Sequence, residues 1–427
     1  MRESSLSLDK ALVHGVLPVL GSNLLGLSSC KNARPYGVGM EYVAPYSSYL
    51  DLTGEYPFPQ LLVGEKYQYV ANATGIYSIN IGVLNLKKTQ AATTHYDLVD
   101  FKDSVAIVGN GHTLFRSVTG DLSAMAHVPE ASCACEIGHM LLLGNISSWD
   151  QSTDVDSSTV VWAARPLSVE FQLLDAASIS TGAGYIKLFC GDILRLFSKG
   201  NLVYVFGKKG IVVLKLISDP VKALSIEVEM PCTIKDREAI VQHPEGFSFI
   251  DAFGYAFGLA LRETRPKRFG LRRFFQGARV VGMYDPAEQE TLFCNGLETI
   301  SMGTYGVGSR DQVITSGGVI DSVMCVASPT INSQAFTLEV ASQNMGVAGI
   351  KTLYAAGVDY ETDGSVRIND SPANSLGVGT KIISADSFKP TVKITDCTHA
   401  TVTALELRWK LTDKRNVRGR YDNQTTA

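Results

Sequence analysis

Short apolar runs divided by tight turns fill the chain from about residue 61 to residue 300. Lys66-Tyr-Gln-Tyr-Val-Ala, the turn Asn72-Ala-Thr-Gly75 and Ile76-Tyr-Ser-Ile-Asn read as two β-strands joined by a glycine-containing turn. The plan recurs as Ser104-Val-Ala-Ile-Val, turn Gly109-Asn-Gly-His112, Thr113-Leu-Phe-Arg. It recurs again as Asn201-Leu-Val-Tyr-Val-Phe, turn Gly207-Lys-Lys-Gly210, Ile211-Val-Val-Leu-Lys-Leu, and as Gly246-Phe-Ser-Phe-Ile, turn Asp251-Ala-Phe-Gly254, Tyr255-Ala-Phe-Gly-Leu. Looser copies start at His139 and at Val280, the latter turning at Asp285-Pro-Ala-Glu288.

A β unit returning every ~36 to 45 residues is the mark of small sheets that bury their faces only against their neighbours, as propeller blades do. An antiparallel sandwich also yields regular hairpins, but repetition of one specific plan favours the propeller. Its phrases match neither the Trp-Asp nor the kelch type. The expected fold is therefore all-β: a β-propeller-like domain over 61–300, an extended N-terminal arm over 1–60 and a smaller C-terminal β domain over 301–427. The arm follows from closely spaced prolines, as in Glu55-Tyr-Pro-Phe-Pro-Gln, which deny a long helix or a central strand. Strands are expected after residue 300 at Ala335-Phe-Thr-Leu-Glu-Val, Lys351-Thr-Leu-Tyr, Thr391-Val-Lys-Ile-Thr and Thr401-Val-Thr-Ala-Leu-Glu-Leu-Arg-Trp, the last alternating with period two.

Composition narrows the function. Of 427 residues, 38 are Lys or Arg and 42 are Asp or Glu, a formal charge of −4, which argues against a polybasic nucleic-acid coat. The most apolar stretch, residues 202–216, is cut by Lys208 and Lys209 and falls short of a membrane helix, so no membrane insertion is expected. Leu27-Ser-Ser-Cys30 has the form of a lipoprotein cleavage site, but Glu3, Asp9, His14, Gly15 and Pro18 break the apolar core such a signal needs. The eight cysteines are scattered, as buried thiols of a reducing compartment would be, and Cys133-x-Cys135 lacks the second pair of a zinc site.

The sequence contains no nucleophile elbow, zinc helix or EF-hand loop. Residues 200–209 imitate a phosphate loop with the wrong glycine spacing, inside a hairpin. His95, His112, His127 and His139 would converge only if the blades brought them together, and histidines at strand ends are commonly structural. Asp154 with Asp156, and Asp359 with Glu361 and Asp363, sit in polar loops that read as solvated rather than cation-holding. Neither a catalytic residue, a metal nor a cofactor is assigned, and no enzymatic activity is expected.

Two basic segments remain. The first holds Arg262, Arg265, Lys267, Arg268, Arg272, Arg273 and Arg279 with Phe269, Phe274 and Phe275 interleaved. Arginine and aromatics anchor protein interfaces, and in an acidic chain that reading outweighs nucleic acid. The second, Arg408, Lys410, Lys414, Arg415, Arg418 and Arg420, reads as a basic tail docking on an acidic neighbour.

These features together resemble the β-propeller hub or nozzle proteins of short-tailed bacteriophage tails. The phrases that carry the resemblance are Val99-Asp-Phe-Lys-Asp-Ser-Val-Ala-Ile-Val-Gly-Asn-Gly-His-Thr-Leu-Phe-Arg-Ser-Val-Thr-Gly, the stretch 184–211 and Gly246-Phe-Ser-Phe-Ile-Asp-Ala-Phe-Gly-Tyr. The resemblance implies a structural virion protein in a ring, six copies in all, below the portal and adaptor ring. Such a ring continues the DNA channel and mounts distal tail or fibre proteins, with double-stranded DNA only passing through. Six copies at −4 each carry −24, a lining along which phosphate slides without sticking. The Arg262-to-Arg279 segment is accordingly expected to face a protein neighbour or the exterior. The rival readings are a receptor- or carbohydrate-binding propeller and a propeller glycosidase with two converging carboxylates.

Overall fold

The computed structural model describes residues 60–328 apart from short loop segments (73, 81–82, 90–94, 102–103, 165–168, 174–182, 218–222, 304–305 and 321–322). Outside that range it describes residues 3–7, 27–36, 39–43 and 46, and eight strands between 336 and 411. Six four-stranded antiparallel blades follow one another in chain order among the described residues. Blade one is Gln60–Val63, Gln68–Ala71, Gly75–Asn80 and Val83–Thr89; blade two is Asp97–Phe101, Ser104–Gly109, His112–Arg116 and Leu122–Ser123. Blade three is Glu130–Ile137, Met140–Ser148, Thr159–Trp162 and Gly184–Lys187, and blade four Ile193–Lys199, Leu202–Gly207, Gly210–Leu216 and Leu224–Pro231. Blade five is Ile240–His243, Gly246–Ile250, Ala256–Ala260 and Lys267–Gly270; blade six is Val281–Asp285, Glu290–Cys294, Thr299–Gly303 and Gly306–Arg310. A hairpin, Ser316–Ile320 with Val323–Ala327, stands as blade seven.

Seven apolar clusters among the described residues show how the blades close into a ring. In blade three, Met140 and Leu142 pack with Val203, Val205, Val212 and Leu214 of blade four. The alternate residues Leu141 and Leu143 pack with Ala106, Val108 and Phe115 of blade two. Blade four behaves likewise, sending Tyr204, Phe206, Ile211 and Val213 toward blade five. A strand covered on both faces needs apolar residues at odd and even positions alike, and this is why 202–216 reads as a continuous apolar run. The last cluster joins Leu61 and Val70 of blade one to Ile320, Cys325 and Ala327 of blade seven, and the Leu61 amide donates to Ser316 Oγ at 2.7 Å. The ring is shut by this contact.

The hairpins sit where the turn chemistry puts them. Asn110 and Gly111 take φ of 54° and 75°, the paired left-handed values of a type I′ turn, and Gly109 faces His112 across it. The four-stranded plan does not stop at residue 300: Thr299–Gly303 and Gly306–Arg310 complete blade six, and blade seven carries the ring to residue 327.

The arm adds to the edge of blade six. Ala33–Tyr36 and Gly39–Tyr42 form a hairpin whose first strand meets blade six through Ala33 opposite Ser309, and Pro35 beyond it pairs only with Met40. A proline strand is tolerated because that pairing is so short. Beyond the hairpin, Met40 and Glu41 meet the C-terminal strand Thr401–Leu411, so blade six, arm and C-terminal strands form one eleven-stranded sheet. Arg34 clamps the arm: Nε lies 2.6 Å from Glu41, and Nη1 lies 2.5 Å from Glu288 and 3.6 Å from Glu290. Tyr46 adds a second clamp, its hydroxyl donating to Asp285 at 2.5 Å and its amide to Gln312 at 2.9 Å. Burial in this acidic nest raises the Glu290 pKa. Arg34→Ala therefore takes the cation from Glu41 and Glu288 and leaves Glu290 with Arg310 alone, and protease cleavage of the arm should accelerate about tenfold with blades one to five unchanged. A proteolysis time course read by mass spectrometry checks this.

Candidate interaction face and central channel

The first strands of successive blades line the axis of the ring, around a cavity of about 520 Å³. Its polar lining comes from named charges. Asp97, on the first strand of blade two, lies 3.3 Å from Arg195 Nε of blade four and 3.0 Å from Arg237 Nη2 ahead of blade five. It also accepts the Ala134 amide at 3.2 Å. Arg237 donates to the Ser132 carbonyl and Arg195 to the Ile240 carbonyl. Arg279 reaches Glu238 at 3.3 Å. The channel thus holds a charge network tying blades two, three, four and five across the axis.

His95 stands among these guanidinium groups. Its Nε2 is shut off from solvent with no hydrogen-bond partner, and burial, reinforced by Arg237, Arg195 and Arg279, lowers its pKa to about 3. The histidine is neutral in the fold. A pKa depressed below the unfolded value of 6.5 means that the unfolded chain binds the proton first. Stability contributed by this site is intact above about pH 6.5 and is lost as pH falls toward about 3, with a slope approaching ~1.4 kcal/mol per pH unit. Denaturant midpoints measured from about pH 7 to about pH 4 should decline, and His95→Asn should flatten that decline.

Within a blade, the turn between second and third strands lies at the same end as the connections entering and leaving the blade. Hydrogen bonds sew these segments into a belt. Ser157 in the blade-three turn donates to Asp192 in the connection to blade four at 2.6 Å. Lys208 in the blade-four turn bonds Asp192 through its amide at 3.0 Å and its ammonium at 2.9 Å. Ile234 in the next connection donates to the Lys208 carbonyl, Lys235 to that of Ile250, and Asn295 in the blade-six turn to that of Phe274. From this connection face project Phe189, 89% exposed, Phe253, 60% exposed, and Leu297, 79% exposed. At its centre the channel opens through a polar mouth of about 480 Å³ lined by Asn110, Asn145, Asp192, Lys208 and Asp236. Burial, helped by Glu238, raises the Asp236 pKa.

The first basic segment does not form one patch. Arg262 and Arg265 lie in the turn between the third and fourth strands of blade five, on the opposite face, with Lys267 bound there to Glu263 at 2.7 Å. Phe269, half exposed, lines a groove of about 900 Å³ between blades five and six on that side, with Tyr284, Met302 and Val307. Arg272 and Arg273 belong to the short helix Arg272–Phe275 on the connection face, and Arg279 turns inward to Glu238. Phe275 is not an interface residue: it is fully buried, 5.9 Å from the Phe293 ring in the core between blades five and six. Phe274 packs half-buried on the same core. Arg408 and Lys410 lie on the strand Thr401–Leu411, paired with Lys351–Tyr360 and Glu3–Ser7, while Lys414, Arg415, Arg418 and Arg420 fall outside the described residues.

The other candidate ligands are occupied by the fold. Cys133 and Cys135 are buried between blades three and four, and burial pushes both thiols well up. His139 is exposed at a hairpin turn, with Glu136 accepting its amide. Lys187 places its ammonium 3.0 Å from Asp154 and 3.3 Å from Asp156, where a cation would have sat. Among the described residues no group of three or more His, Cys, Asp or Glu side chains gathers to hold a metal, and no described helix is long and apolar enough to cross a membrane. What sequence reading missed is the channel network: Asp97, Arg195 and Arg237 come from three blades and share no local pattern.

No family model and no curated protein matches this sequence. Solved structures with similar folds include BamB from Moraxella catarrhalis, 8% identical with a TM-score of 0.40, covering 76% of this chain and 96% of that one. The Pan2 WD40 domain of Neurospora crassa is 10% identical with a TM-score of 0.40, covering 66% and 85%. The extracellular domain of a hybrid two component system of B. thetaiotaomicron is 9% identical with a TM-score of 0.46, covering 78% and 47%. These are likenesses of fold. The chain is a β-propeller by its own sheets and clusters.

Proposed function

We propose that the chain is a structural, non-enzymatic subunit of a short-tailed bacteriophage tail, a nozzle or hub protein that forms a six-membered ring below the portal and adaptor. In that reading the ring continues the DNA channel, carries distal tail or fibre proteins and belongs to the virion. The observation that carries the proposal is that the phrases resembling that family overlap blade hairpins: 99–120 in blade two, 184–211 across blades three and four, and 246–255 in blade five. Two further features support it. The propeller's own channel is crossed by ion pairs, so a DNA passage would run between copies rather than through a blade ring. The eleven-stranded sheet welds a second β unit onto the rim, giving one subunit two distinct ends for neighbours above and below.

Negative-stain images of the purified protein test this directly. Six-fold rings are the expected result. A monomer at every concentration reached overturns it.

One observation favours a second reading. The polar mouth holds Asp236, a carboxyl with a raised pKa, beside Asn110 and Asn145, groups suited to a sugar. Asp97 is engaged by two guanidinium groups and the Ala134 amide, so a glycosidase would have to use Asp236. Hydrolysis of aryl glycosides that disappears in Asp236→Asn would favour this reading over the first.

A further inference from the structure

The proposed ring requires two surfaces on each copy that fit one another, and the connection face offers a pair. At the outer edge of blade five, the Tyr255 ring is flanked by two guanidinium groups, Arg268 at 4.8 Å and Arg272 at 5.5 Å from its centroid. Both arginines are exposed, and among the described residues neither has a carboxylate within 4.0 Å. Stacking on an aromatic face fixes the plane of a guanidinium while leaving its N–H edge open to a carboxylate, so these groups are pre-ordered for a partner that the described residues do not supply. Arg273 is stacked on Phe274 at 4.6 Å, and exposed Phe253 adjoins Tyr255 in the turn ahead of it.

Two blades away on the same face, the turn of blade three carries the opposite charge. Asp150, Asp154 and Asp156 are all exposed there; the lysine beside them is Lys187, and the His127 ring lies 2.6 Å from Asp150. Asp156 is held within its own loop by Ser158 and Thr159, which, with Lys187, lower its pKa to about 2. Asp150 meets His127 and Gln151, and Asp154 meets Lys187 and Tyr185, one contact to each oxygen, which leaves both carboxylates lone pairs for an incoming guanidinium.

Resting on the ring reading above, we infer that Arg268 and Arg272 of one copy pair with Asp150 and Asp154 of the next copy, joining blade five to blade three around the ring. Two different patches per copy make a heterologous contact, which closes when the rotation between patches suits the number of copies. In a seven-bladed ring, two blades subtend about 103° about the propeller axis, close to the about 120° between the two neighbours of a subunit in a six-membered ring. Phe253 supplies apolar contact beside the charges, the mixture found at the centre of protein interfaces.

Charge reversal separates this contact from its alternatives. Arg268→Glu with Arg272→Glu makes one variant, Asp150→Lys with Asp154→Lys another, and ring formation is read by native mass spectrometry and negative-stain imaging. Each variant alone should lose rings by about tenfold or more at a concentration where the parent chain forms them. Mixed in equal amounts, the two should regain them as alternating rings, because every contact in such a ring again joins opposite charges. The chain carrying all four substitutions should also regain them. Undiminished rings in either variant overturn the inference and leave the ring reading intact. Loss in the arginine variant without rescue by the aspartate variant also overturns it, assigning that corner to an acidic segment of another protein. A parent chain that forms no ring takes down both. Circular dichroism of each variant, matching the parent, shows that lost rings are not lost folding.

Discussion

Replacing Asp97 by asparagine is expected to destabilise the propeller by about 3 kcal/mol, lowering its melting midpoint by roughly 6 to 12 °C. The substitution preserves shape and removes only charge, leaving Arg195 and Arg237 facing one another with the bond from Ala134 still available. The Asp97 and Arg237 side chains are 7% and 10% exposed, so water replaces little of what is lost. An uncompensated buried charge is costly for that reason. Arg195, 29% exposed at the side chain, is the weaker partner, and Arg195→Ala should cost clearly less. The network links four of the seven blades, so the Asp97 variant also tests whether the axis or the blade interfaces govern unfolding: a lowered midpoint with unchanged denaturant slope means that the ring still unfolds as one unit. Thermal and denaturant unfolding of both variants settle the order.

Hairpin identity was legible because it is local. A strand, a glycine turn and a strand need only residues about ten apart to declare themselves, and Gly109-Asn-Gly-His112 does so with both left-handed positions occupied by favourable residues. The end of the propeller was not legible, because glycine has two meanings. Gly306-Val-Gly-Ser-Arg310 is Gly-rich and lies beyond the boundary expected at residue 300, yet it is the outer strand of blade six, and a Cβ on Gly308 would collide with the Ala33 carbonyl. The glycine is there so that the arm can cross. Ser316-Gly-Gly-Val-Ile320 is likewise a strand of blade seven, with Ile320 buried against blade one.

The basic segment failed for a different reason. Seven charges within eighteen residues look like one patch, but a four-residue strand, Lys267–Gly270, carries the chain from one face of the disc to the other between them. Spacing along the chain cannot reveal that reversal. Nor can it tell Phe275, which fills the core, from Phe269, which does not. The channel charges were invisible altogether: 97, 195 and 237 are spread over about half of the propeller, and only ring closure brings them within ion-pair distance.

Phe247→Ala should be the most damaging single truncation, at about 4 kcal/mol. Phe247 is fully buried on the second strand of blade five, its ring centroid 4.6 Å from Tyr204, 5.1 Å from Phe206 and 5.4 Å from Phe197, all on blade four. The deletion removes one aromatic from the middle of four and leaves a void that β-sheet backbones on both sides hold open, since each strand is fixed by hydrogen bonds to its own blade. Phe247→Leu, which keeps most of the volume, should cost only about 1 to 2 kcal/mol. Phe253→Ala, at the third residue of the exposed turn of the same blade, should stay within about 0.5 kcal/mol and serves as the control. The location of the damage is as informative as its size. A blade buries its faces only against its neighbours, so if the ring is one cooperative unit the loss at the interface of blades four and five will appear equally in amide exchange of blades one and seven. Faster exchange confined to blades four and five would instead mean that the disc opens at one seam while the rest stays closed.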